Sequence, residues 1–114
     1  MRHYEVINPP STGDPGVAEA CITAFQHGCY GAVVDSVKAT FSPGSGNKCI
    51  LCLDMYFTHP DVMVEPLSTT MELGQNASRA EIVRQLMSPT GLRNRLFSCL
   101  LGAGTSIWES AIWI

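Results

Sequence analysis

Apolar and polar residues alternate in some stretches of the chain and recur at helical spacing in others. His3-Tyr4-Glu5-Val6-Ile7 reads as a first strand. Asn8-Pro9-Pro10 stops it, and Ser11-Thr12-Gly13 is turn chemistry. Asp14-Pro15 has the form of a helix start, an N-cap followed by proline at the first helical position. Val17, Ala20, Cys21, Ala24, Phe25 and Gly28 then follow at helical spacing. They predict a helix of about 14 residues with Gly28 as its stop.

From Ala32 to Phe41 the period changes to two. Val33, Val37, Ala39 and Phe41 share one face, with Asp35 the exception on it. Ser36, Lys38 and Thr40 lie on the other. Ser42 to Asn47 is loop sequence. Cys49, Leu51, Leu53, Met55 and Phe57 then alternate with Lys48, Ile50, Cys52, Asp54 and Tyr56, so the two runs predict a hairpin. Val62 to Leu73 is extended in character, and Pro66 suits it to an edge or a bulge.

Ser78-Arg79-Ala80-Glu81 is a capping box, with the glutamate reaching back to the cap. Ile82, Val83, Leu86 and Met87 continue one helical face. Ser88-Pro89 interrupts it and offers a restart, with Ser88 as cap and Pro89 first. Leu92, Leu96, Phe97 and Leu100 extend the stripe until Gly102-Ala103-Gly104. Residues 105–113 alternate again and read as a last strand. This order predicts an α+β fold, a β-α-β-β-α-β sandwich with one four-stranded sheet and two helices on one face. A single domain spanning 1–114 is expected.

Composition narrows the function classes. The chain has 114 residues, 46% hydrophobic and 15% charged. The charged share lies below the usual ~25%, so some surface is expected to be buried between copies, on the open sheet face. Disorder is excluded. No apolar run approaches ~18 residues, so no membrane partner is expected. The first residues lack the apolar core of a signal peptide. The net charge of −3 argues against nucleic acid as a partner. The charge is split: residues 1–77 carry three basic residues against eight acidic ones. Residues 78–114 carry Arg79, Arg84, Arg93 and Arg95 against Glu81 and Glu109.

Five cysteines are an odd number, so reduced thiols and a cytoplasmic location are expected. Cys49 and Cys52 have the spacing of half a zinc site, and His27 and Cys29 are further candidate ligands. Residues three apart on a strand point to opposite faces, however, so no metal is expected. Cys29 beside Tyr30, with His59 as base, has the look of a nucleophile. It follows a helix C-terminus, where the dipole opposes a thiolate. Gly44-Ser45-Gly46 lacks the third glycine of a dinucleotide fingerprint, and no cofactor is expected.

Tyr4-Glu5-Val6, Ile22-Thr23 with His27, Gly74-Gln75-Asn76-Ala77-Ser78 and Ser106-Ile107-Trp108 stand, in this order, where the chain resembles the tautomerase superfamily, closest to its chloroacrylate dehalogenase branch. The resemblance spans nearly the whole chain through short motifs. It implies a homotrimer of β-α-β-β-α-β subunits. It also implies proton transfer or hydration on small enol or unsaturated acids. That family uses an N-terminal proline as base or acid. Here Arg2 takes the second position, so reduced or lost activity is implied.

On this reading the catalytic candidates are Arg2 and His27, and the substrate-binding candidates are Arg79 and Gln75, around a small carboxylate ligand. Arg2 would grip the carboxylate as a bidentate donor and His27 would move a proton near neutral pH. The competing reading is a non-enzymatic interaction or assembly protein, a viral one among the options, with the same topology.

Overall fold

A computed structural model of the chain describes residues 1–11, 13–26, 29–74 and 77–102. The order is β1 (His3–Ile7), α1 (Val17–Phe25), β2 (Val33–Pro43), β3 (Cys49–Thr58), β4 (Leu67–Leu73), α2 (Arg79–Leu86) and α3 (Leu92–Gly102). The four strands form one sheet in the order β1-β2-β3-β4. β1 runs parallel to β2, with α1 as the crossover, and the other two pairs are antiparallel. The α+β class and the four-stranded sheet agree with the sequence pattern. The fourth strand is the short one after Pro66, and the strand expected at 105–113 lies outside the described residues.

Alternation places the core. Val37, Ala39 and Phe41 of β2, Leu51, Leu53, Met55 and Phe57 of β3, and Met71 and Leu73 of β4 are buried in one cluster. The same cluster holds Val17, Ala20 and Cys21 of α1, Ile82 and Leu86 of α2, and Leu92 and Leu96 of α3. All three helices therefore cover one face. The expected Val33 in this set is corrected. A bulge between Val34 and Ser36 shifts the register, so Val34 is buried and Val33 is 51% exposed. The extra residue is Asp35, which the pattern marked as an exception; the bulge keeps its carboxylate out of the core.

Helix boundaries differ from the pattern for local reasons. Asp14 caps α1, but from two residues before the cap position. Its Oδ1 accepts the N–H groups of Gly16 and Val17, each at 3.0 Å. Gly16 stands at φ 80°, a left-handed conformation open to glycine, so α1 starts at Val17. At α2, Ser78 Oγ accepts from the Glu81 N–H as expected, but Glu81 turns forward to Arg84 and Gln85 rather than back.

The break at Ser88-Pro89 is real, and the restart comes at Leu92 rather than Pro89. Gly91 is pressed into the corner so tightly that a Cβ there would collide with the Gln85 carbonyl and stand 2.6 Å from the Leu86 carbonyl oxygen. The broken helix is thus two helices with a turn between them. Gly28, the expected stop of the first helix, lies outside the described residues.

Candidate functional site

The opposite face of the sheet carries Ser36, Lys38, Thr40, Cys52, Asp54, Tyr56, Ser68 and Thr70. Val33, Ile50 and Tyr56 are the large exposed apolar residues of this face. The register aligns charges across it. Glu5 stands beside Lys38, Lys38 beside Asp54, and Asp54 beside Ser68, whose hydroxyl donates to the Asp54 carboxylate. This row of alternating sign explains how a lightly charged chain keeps an uncovered sheet face wetted.

A cleft of about 250 Å³ opens beyond the C-terminal end of β1. Pro10, Ser11 and Pro15 of the β1–α1 loop, Cys49 of β3, and Leu73 and Ala77 around the β4–α2 connection line it. The loop makes this rim because Asn8 at φ 53° and Gly13 at φ 94° turn the chain where the prolines forbid a strand. Arg79 opens α2 at this end. Its Cβ lies 3.5 Å from where a side chain on Gly16 would begin.

Arg2 stands at the other end of β1, a strand of five residues and so about 16 Å long. Its Nε lies 3.4 Å from Asp35 Oδ1, and its backbone N–H donates to the Asp35 carbonyl at 2.6 Å. His27 and Gln75, the remaining candidates, lie outside the described residues. The structure thus sets Arg79 beside Gly16 at the start of α1 and ties Arg2 to the bulge in β2.

Three ionisable groups are held in their neutral forms. Burial, with a hydrogen bond to Asp14 at 2.6 Å, pushes the Tyr4 phenol well above its ordinary range. Burial pushes the Cys21 thiol up to about 12, with Asp14 adding to the effect. Burial also raises Cys29, against the opposing influence of Arg93. A raised thiol is a poor nucleophile. Cys29 is instead part of a tight turn: it exchanges both backbone hydrogen bonds with Ala32, with Tyr30 at φ 55° and Gly31 at φ 84° between them. His59, its expected partner, accepts from the Asp61 N–H through Nδ1 at 3.1 Å.

Cys49 packs toward the core and Cys52 lies on the opposite face of β3. Among the described residues no group of three His, Cys, Asp or Glu side chains is placed to hold a metal ion. None of their helices is long and apolar enough to cross a membrane.

Three side chains organise the molecule through contacts that the sequence pattern did not give. Asp14 links α1 to β1 through Tyr4, a pairing ten residues apart with no periodic signal. Arg95 of α3 donates to the Ser68 carbonyl of β4. The third, Asp35, was signalled by its misfit in the alternation. No known protein family, curated protein or solved structure matches the chain.

Proposed function

We propose that the chain is a non-enzymatic interaction protein that assembles with copies of itself through its sheet. The observation that carries this reading is the asymmetry of the sheet. Its three helices pack on one face, with α3 against β4, while the other face and the outer edge of β1 are uncovered among the described residues. Its cysteines are all free thiols, which supports a reducing, cytoplasmic setting. Native mass spectrometry tests the reading. A homo-oligomer is expected, and a chain that stays monomeric up to millimolar concentration would overturn it.

A second reading is favoured by one observation: the Arg79 Cβ lies against Gly16, at the end of the β1–α1 loop whose residues line the cleft. There a tautomerase-like subunit would hold a small enol or unsaturated acid by its carboxylate. For Arg2 to take part it would have to leave Asp35. Enol–keto conversion of a small arylpyruvate by wild type and by Arg2→Pro decides between the two. Neither is expected to exceed buffer; conversion above buffer by either variant would establish the enzymatic reading instead.

A further inference from the structure

We propose that the outer edge of β1 pairs antiparallel with β1 of a second copy about a two-fold axis at Tyr4, joining two sheets into one of eight strands. This rests on the assembly reading above and names its surface and partner.

The two edges of the sheet are not equivalent. Along β4, Arg84, Gln85, Ser88 and Thr90 of the α2–α3 corner border a groove with Thr69 and Thr70, and Arg95 holds the Ser68 carbonyl. That edge therefore already carries side chains and a backbone contact from the helical corner. Along β1, His3 and Glu5 are exposed. The Arg2 N–H points into the sheet, since it donates to Asp35. Backbone groups alternate sides along a strand, so the N–H and C=O groups of His3, Glu5 and Ile7 point away from β2, toward solvent. Among the described residues they have no partner strand, and they form a template for another strand.

Charge selects the partner and the register. With the axis at Tyr4, His3 of each copy lies opposite Glu5 of the other, and both are residues with outward backbone groups. The row Asp54, Lys38, Glu5 then continues into His3 of the second copy, whose imidazole offers a hydrogen-bonding partner to the Glu5 carboxylate. Moving the axis to Glu5 sets two carboxylates against each other, which is unfavourable in a directly opposed pair. The wetted, charge-laced open face argues against face-to-face packing, which leaves the edge. Five residues a side bury less than the ~1,200 Å² of a stable interface, so the dimer is concentration-dependent.

Sedimentation equilibrium and amide exchange from micromolar to millimolar protein test this. The expected result is a two-chain species, with the His3, Glu5 and Ile7 amides exchanging more slowly as concentration rises. Glu5→Pro removes an outward donor without touching the β1–β2 ladder, and should leave a folded monomer. His3→Glu, an exposed change that keeps the fold, should weaken association about tenfold by opposing two carboxylates. A monomer throughout overturns both this pairing and the assembly reading. An oligomer whose β1 amides stay unprotected, and which both variants leave unchanged, overturns the pairing alone. A three-chain species also overturns the pairing, and supports the trimer that the tautomerase resemblance implies.

Discussion

The two outer strands of the sheet solve the same problem in different ways. β4 buries Met71 and Leu73 and has helices along its free side. β1 has only half-buried Tyr4 and Val6 against the core, and is tied down by polar contacts at its start: Arg2 to Asp35 and Tyr4 to Asp14. One edge is covered by packing and the other is pinned by hydrogen bonds. Packing closes an edge to other chains, whereas pinning fixes the strand and leaves its outward backbone free. The difference between the edges is therefore also a difference in what each can bind.

The largest expected effect breaks the covered edge. Gly91→Ala drives a methyl group into the Gln85 and Leu86 carbonyls at the corner that sets α3 against β4. Backbone atoms cannot swing away as a flexible side chain can, so the corner must open. A loss of about 3 kcal/mol is expected, and a melting temperature lower by roughly 8 °C or more. Amides of β4 should lose exchange protection while those of β1 do not. A variant as stable as wild type would mean that the corner is not what seats α3.

Most of the frame was legible in the sequence. Long alternating runs such as Cys49 to Phe57 bury one face, and a period of two admits one solution there. Ser78 as a cap and the break at Ser88-Pro89 were legible for the same reason: each is a local signal read by local chemistry. What could not be read were the contacts between elements. The Asp14–Tyr4 link depends on where the β1–α1 loop lands, and the Arg95–Ser68 contact on the angle set at Gly91. The bulge lay in between. Asp35 announced a misfit, but a single misfit does not say which neighbour moves into the core. Of the candidate site, the capping box made legible that Arg79 opens a helix, but not that it lies beside Gly16, which depends on how α1 and α2 pack. The pairing of Arg2 with Asp35 was not, because it depends on the bulge.

A smaller effect tests the pinned edge. Asp14→Ala removes the acceptor for two N–H groups at the start of α1 and for the Tyr4 hydroxyl. It should cost about 2 kcal/mol. Tyr4→Phe keeps the cap and loses only the link, so about 1 kcal/mol is expected. The two variants also separate in pH. The phenol's folded pKa is raised, so its contribution is fully present below the unfolded value of about 10 and is lost as pH rises above it. Chemical denaturation at rising pH should show an alkaline fall in stability that is shallower in Tyr4→Phe. An equal fall in wild type and Tyr4→Phe would mean that the phenol is not held neutral by its burial and its bond to Asp14.

The smallest effect on stability should bring a distinct effect on association. Arg95 is exposed and its bond to the Ser68 carbonyl is one polar contact at the surface, so Arg95→Ala should change stability by about 0.5 kcal/mol. Yet that contact draws α3 onto the start of β4, just after Pro66. Without it the Leu67–Ser68 end of the strand gains an uncovered carbonyl beside the half-buried Leu67. A chain with two open edges can add a neighbour on each side, and such contacts need not close. Arg95→Ala is therefore expected to grow beyond two chains with concentration, and light scattering reads this directly. If it stays at two, the Ser88–Gly91 turn along Thr69 and Thr70 is sufficient to cover the edge, and the distinction between the two edges lies in the turn rather than in one arginine.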